Sequence, residues 1–226
     1  MLASAVAPVL TAAALAATAL QGTAAPDTPD PADLAEMRTV ALDRLFTYWP
    51  DYLDLPEDAR DGFNMVHRID GPEGWRLWLE APNGEISALA AYPDETLTPP
   101  PLALFETGEV RVEAPPGSMS VTMELRPAAP LGERYDAAAL RAGAGQANRA
   151  MREVAGVAAL FAPRMQAVVF TFDGPAPEAW AVSADGEREA LPVSGETATL
   201  PLRRREFRDA EAVEFGRAPI SARFDG

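Results

Sequence analysis

The sequence predicts an α+β protein, mostly antiparallel β, with two repeated sandwich-like β modules, an N-terminal helix and an interdomain helix. Three observations predict it. First, Ile69-Asp70-Gly71-Pro72 is echoed by Phe172-Asp173-Gly174-Pro175. The landmarks that follow come in the same order: Trp75, Trp78, Asn83-Gly84-Glu85 and Ala88-Leu89, then Trp180, Asp185-Gly186-Glu187 and Ala190-Leu191. Glu95-Thr96, Pro99, Phe105 and Glu109 answer to Glu196-Thr197, Pro201, Phe207 and Glu211, which is the signature of an internal repeat. Second, short runs of alternating polar and apolar residues follow each landmark. Third, helical spacing precedes each set of strands, and the order helix, strands, helix, strands marks the α+β class.

The chain divides accordingly into a signal peptide at 1–24, a linker at 25–32, a helix with the first β module at 33–130, a connecting helical segment at 131–163 and a second β module at 164–226. Leu2 to Leu20 is uncharged and rich in Ala, Leu and Val, with small residues beyond it. That fits a signal-peptide core cut after Ala19 or Ala24, although the usual basic leader is missing. The competing reading is a retained membrane anchor. Pro26 to Pro31 is a proline-rich linker.

Asp30 and Pro31 suit a helix N-cap and first turn. Leu34, Met37, Ala41, Leu45 and Tyr48 then recur at helical spacing, and Pro50 is expected to end the helix near Trp49. Tyr48, Trp49 and Tyr52 form an aromatic knot read as docking that helix on a sheet. Strands are expected at 63–69, 74–80, 85–91, 108–113 and 118–125, and none across Pro99-Pro100-Pro101. Asn83-Gly84 and Asp185-Gly186 suit type I′ hairpin turns. Leu140, Ala144, Ala147, Met151, Val154 and Ala158 give a narrow small-residue stripe within 135–161. Gly143, Gly145 and Gly156 either weaken this helix or let it pack closely. Further strands are expected at 166–172, 178–183, 187–193, 197–202, 211–215 and 219–224.

Composition excludes several functions. Across 226 residues the formal charge is -15, a surface that repels phosphate backbones and anionic membranes. The absence of Cys rules out disulfides, thiolate catalysis and cysteine metal sites. No glycine-rich phosphate loop and no Asp-x-Asp-x-Asp-Gly loop is present, so nucleotide and calcium use have no motif behind them. The expected cofactor and metal sets are both none. Arg203-Arg204-Arg205 is the one basic cluster and reads as a solvated turn.

His67 is the only histidine. Alternation puts it on one strand face with Phe63, Met65 and Ile69, and the repeat aligns it with Phe170. That makes it a core residue rather than a catalytic base. A Ser-His-Asp triad would need it, and no Gly-x-Ser-x-Gly elbow exists. No catalytic residue is assigned. Asp70, Glu73, Glu80, Glu85, Asp173, Glu178 and Glu187 are plentiful carboxylates, but their spacing singles out no acid–base pair.

Trp75, Leu77 and Leu79 share an apolar strand face; Arg76, Trp78 and Glu80 share the other. With the register slip placed in the following turn, Trp180 replaces Leu77 and Ala181 stands at the position of Trp78. Trp78 is then the outward-facing aromatic, with Arg76 and Glu80 beside it as a tentative ligand-binding set, unless a helix covers it.

These residues point to an exported, non-catalytic β-rich protein that binds or scaffolds in the periplasm or cell envelope, its partner an envelope protein or a glycan. The second reading is a carbohydrate-binding module that uses an exposed Trp78; the third is a carboxylate-dependent hydrolase. Nucleic acid and nucleotide are not expected partners, and membrane contact follows only if the N-terminal segment is retained. The overall style resembles envelope proteins of GC-rich Gram-negative bacteria, a likeness of composition without a motif.

Overall fold

Phe63, Met65, His67 and Ile69 are buried while Asn64, Arg68 and Asp70 are exposed, the alternation expected of a strand with one face on a core. The computed structural model describes residues 36–93, 96–115, 117–155 and 164–226. The segments read as signal peptide and linker lie outside these residues, as do Gly156 and Ala158.

In the first half the order is β1 (Arg38–Ala41), α1 (Leu42–Leu45), α2 (Trp49–Asp54), α3 (Glu57–Arg60), β2 (Phe63–Asp70), β3 (Arg76–Glu80), β4 (Ile86–Ala91), β5 (Thr96–Leu97), a 3-10 turn at Leu102–Leu104, β6 (Glu109–Glu113) and β7 (Ser120–Pro127). In the second it is β8 (Arg134–Asp136), α4 (Ala137–Ala155), β9 (Ala167–Thr171), β10 (Ala179–Ser183), β11 (Arg188–Ala190), β12 (Val193–Ser194), β13 (Thr197–Pro201), α5 (Arg205–Arg208), β14 (Ala210–Phe215) and β15 (Ser221–Asp225). Among the described residues the strands form four sheets, ordered β1-β6-β3-β4, β5-β2-β7, β11-β10-β14-β8 and β12-β13-β9-β15. Every pairing among them is antiparallel. The protein is β-rich, as the alternation required.

The single N-terminal helix expected from residue 33 to Trp49 is corrected. Arg38–Ala41 is a strand on the edge of the first sheet, with Val40 opposite Val110. β-Branched Thr39 and Val40 and an open sheet edge outweigh a weak helical stripe. Tyr48 then takes a left-handed backbone, φ 64°, and Pro50 stands in the first turn of α2 instead of ending a helix. The aromatic knot does dock this region: the rings of Trp49 and Tyr52 lie 5.4 Å apart, and Tyr52 meets Phe63 edge to face at 5.6 Å.

Both hairpin turns differ in type from the expectation. Gly84 N–H donates to the Ala81 carbonyl and Ala81 N–H to the Glu85 carbonyl, each at 2.9 Å. Gly186, Ser183 and Glu187 repeat this at 3.0 Å. Gly84 and Gly186 have φ 80° and 84°, whereas Asn83 and Asp185 are not left-handed. These are three-residue loops, a type I turn closed by a left-handed glycine, so only one residue per turn needs positive φ.

Two cores result. One lies between the first two sheets and joins Leu77, Leu79 and Val110 to Ile69, Leu97 and Phe46. The larger one crosses the halves: Tyr52, Phe63, Met65 and Leu125 pack with Leu140, Ala144, Phe170, Val213 and Phe215. Burying an apolar side chain of this size contributes about 1.5–3 kcal/mol.

Helix α4 ties that core together. Its first turn is capped by Asp136, whose Oδ1 accepts the N–H groups of Ala138 and Ala139 at 2.7 and 3.0 Å. The stripe at Leu140, Ala144 and Ala147 is buried. Gly143 explains why the stripe is small: a Cβ there would stand 2.4 Å from the Gly62 carbonyl oxygen. Beside it Gln146 Oε1 accepts the Gly62 N–H at 2.7 Å, and its Nε2 donates to the Asp58 carbonyl at 3.0 Å.

Candidate functional site

β3 pairs with β4 and β6, and β10 pairs with β11 and β14, so each half carries a tryptophan on the face turned away from its core. In the first half a row runs Ala88, Trp78, Arg111, Thr39 across β4, β3, β6 and β1. In the second a row runs Ala190, Trp180, Glu214, Arg134 across β11, β10, β14 and β8. The core-facing residues confirm which strand face is which: Leu77 and Leu79 lie in the first core, Ala179 and Ala181 in the second.

This overturns the register assumed from sequence. Trp180 stands opposite Glu214 on the outer face and does not replace the core residue Leu77. Trp78 likewise lies on the outer face of its strand. Trp78 follows Asp70 by eight residues and Trp180 follows Asp173 by seven, so the two outer-face tryptophans stand at different distances from their Asp-Gly-Pro segments. The Asp-Gly-Pro segments also differ in backbone: Gly174 has φ 79°, while Gly71 is not left-handed and a Cβ on it would meet Met119 and Trp75 at 3.0 Å. The same three letters make two different turns, and strand register depends on the residue count through them.

The expectation of an exposed Trp78 is likewise corrected, for the ring is 1% exposed. Its indole N–H has no hydrogen-bond partner among the described residues. Alternation names the face a side chain points to; it does not say what lies over that face. The charged residues predicted beside Trp78 are committed to neighbouring strands. Glu80 Oε2 accepts from Arg111 Nε and Nη2 at 2.7 and 2.6 Å, and Arg111 Nη1 donates to Thr39 Oγ1 at 2.8 Å. Arg76 faces Glu113 at 3.8 Å.

Trp180 is different. It is partly buried, with exposed residues around it. The Arg188 guanidinium carbon lies 5.4 Å from its ring centroid, a cation–π arrangement. Arg188 Nη2 donates to Glu214 Oε2 at 2.8 Å, and Arg134 Nη1 donates to Glu214 Oε1. These side chains, with Glu133 and Glu178, line an open hollow of about 390 Å³. Sequence reasoning missed this site because it placed Trp180 in the core. The detectable signal was Ala179-Trp180-Ala181, where small residues on either side of the tryptophan suit either strand face.

His67 is 1% exposed. Phe46 and Trp49 meet its ring edge to face at 5.1 and 6.1 Å. Burial pushes its pKa below the ordinary 6.5, and the nearby Thr47 main chain offsets part of that. Neither ring nitrogen makes a hydrogen bond of good geometry to any described residue, so no described neighbour orients it as a base. Arg203, Arg204 and Arg205 are all exposed. Among the described residues no cluster of three or more His, Cys, Asp or Glu side chains is placed to hold a metal, and no helix is long and apolar enough to cross a membrane.

Comparison of the chain with protein-family models, with curated proteins and with solved structures finds no match. The chemistry of the site is therefore the ground for any functional reading.

Proposed function

We propose that this is an exported, non-catalytic binding protein of the periplasm or cell envelope, and that its binding face is the outer face of the β11-β10-β14-β8 sheet around Trp180. The observation that carries this reading is an accessible indole beside two arginines and three glutamates in a shallow hollow. Tryptophan and arginine are the side chains most enriched where binding energy concentrates, and a concave patch with a few convergent polar groups is the usual form of a ligand site. Export is supported by the apolar, uncharged stretch from Leu2 to Leu20.

We further read the two halves as sandwich-like modules related by internal duplication. What supports this is the strand order: β4-β3-β6-β1 answers β11-β10-β14-β8, and β5-β2-β7 answers β13-β9-β15. His67 and Phe170 also occupy the same place, each on the middle strand and on the core side. On this reading one module keeps its tryptophan buried and the other presents it.

The test is fractionation of a bacterium producing the tagged full-length chain, with the mass of the recovered protein. Export predicts a periplasmic product lacking residues 1–19 or 1–24. An intact chain confined to the cytoplasm would overturn export. Trp180→Ala then tests the binding face, since envelope components that co-purify with the wild type should be lost from the variant. Equal recovery from both would remove Trp180 from the proposal.

A further inference from the structure

Each class of small ligand makes a different demand on the Trp180 hollow. A simple anion needs unpaired cationic donors. Here Arg134 and Arg188 both already bind Glu214, and Glu133 and Glu178 add two more carboxylates to the lining in a chain of formal charge -15. A quaternary or primary ammonium wants an aromatic cage, whereas this site has one indole ring with a guanidinium already over it. A fully apolar ligand would leave the charged lining desolvated and unpaired, which is costly.

A neutral sugar brings no charge to be repelled or paired, and it stacks on the indole once the exposed Arg188 side chain swings off the ring face it now covers. The C–H face of a pyranose is a flat apolar surface that matches an indole ring, while its hydroxyls are both donors and acceptors. The carboxylates of Glu133 and Glu178 have no hydrogen-bond or ion-pair partner among the described residues, so they are available to accept from hydroxyls. The side chains of Arg134 and Arg188 are 68% and 52% exposed even while paired, and each guanidinium has more N–H groups than its ion pair uses. Hydrogen bonds to charged groups are the stronger kind. A hollow of about 390 Å³ lies within the range of small-ligand sites.

We infer that the Trp180 hollow is a binding site for an uncharged pyranose unit, stacked on the indole and hydrogen-bonded by Glu133, Glu178, Arg134 and Arg188. This rests on the binding reading of the same face. It moves the sugar site from Trp78 to the outer-face tryptophan in the other half.

The experiment is calorimetric titration of the processed wild-type protein with neutral oligomers of glucose and of N-acetylglucosamine, and with an oligogalacturonate as the acidic comparison. Binding of a neutral oligomer is expected, weakened by about thirtyfold in Trp180→Ala, the loss typical of a ring central to a contact. Trp180→Phe should keep most of the affinity, and Glu178→Gln, an exposed change that leaves the fold alone, should weaken it. Preference for the acidic oligomer, or neutral binding that ignores both Trp180→Ala and Glu178→Gln, would overturn the inference. So would no sugar binding at all, and co-purification then separates the two levels. If envelope components still depend on Trp180, the binding face stands and its ligand is another class; if they do not, both claims fall together.

Discussion

The two outer rows, Ala88-Trp78-Arg111-Thr39 and Ala190-Trp180-Glu214-Arg134, have the same layout and opposite properties. Each has alanine on one side of a tryptophan and a charged residue on the other. The central charge is positive in the first row and negative in the second. Trp78 is 1% exposed while Trp180 is only partly buried. In the first row Arg111 bonds along and across the sheet to Glu80 and Thr39. In the second Glu214 gathers two exposed arginines around an accessible ring. The lesson is that lying on the outer face of a strand does not settle how far a tryptophan is buried.

The largest expected effect tests that contrast directly. Trp78→Ala removes a fully buried ring and should cost about 3–5 kcal/mol. Trp180→Ala should cost less than about 1 kcal/mol, in the range of substitutions away from a core. Urea unfolding midpoints at unchanged slope give both numbers. Equal losses would mean that the two rows are energetically alike.

An intermediate effect concerns the helix between the halves. Alanine for glycine within a helix ordinarily gains about 1 kcal/mol. Gly145→Ala should show that gain, because its nearest neighbour is the flexible end of Arg149 at 3.5 Å. Gly143→Ala should instead lose about 1–3 kcal/mol, since its Cβ would meet the Gly62 carbonyl oxygen at 2.4 Å and the Phe224 ring at 3.2 Å. If both variants unfold later than the wild type, α4 does not rest on Gly62 as closely as described.

The smallest effect compares the two middle strands. His67 and Phe170 are both buried on strands flanked by a partner on each side, but only His67 titrates. Its pKa is lower in the folded protein than in the unfolded chain, because burial disfavours the charged ring. The unfolded chain therefore binds more protons below the ordinary pKa of 6.5, and the stability from the neutral ring is present above that pH and lost as pH falls through it. His67→Phe should flatten the dependence of the melting temperature on pH between about pH 7 and about pH 5, the span around the ordinary histidine pKa. A variant with the same acid sensitivity as the wild type would assign the pH dependence to other groups.

Much of this was legible in the chain. The strand segments, the stripe on α4, the core side of Trp75, Leu77 and Leu79, and the structural place of His67 follow from periodicity, which is a property of neighbours in sequence. The N-terminal helix was misread because pairing of Arg38–Ala41 with β6 is a contact between distant segments. The hairpin turns were mistyped because Asn-Gly and Asp-Gly suit more than one backbone path. Trp180 was assigned to the core because a one-residue shift in a loop exchanges the two faces of a strand.

Local alternation, helical spacing and charge balance were thus determined by the sequence alone: a β-rich chain in two halves, acidic, cysteine-free and furnished with a single histidine. The tertiary structure decided which of the two outer-face tryptophans is accessible and which arginines gather on Glu214. Those depend on packing between residues far apart in the chain, and no window of neighbouring residues contains that information.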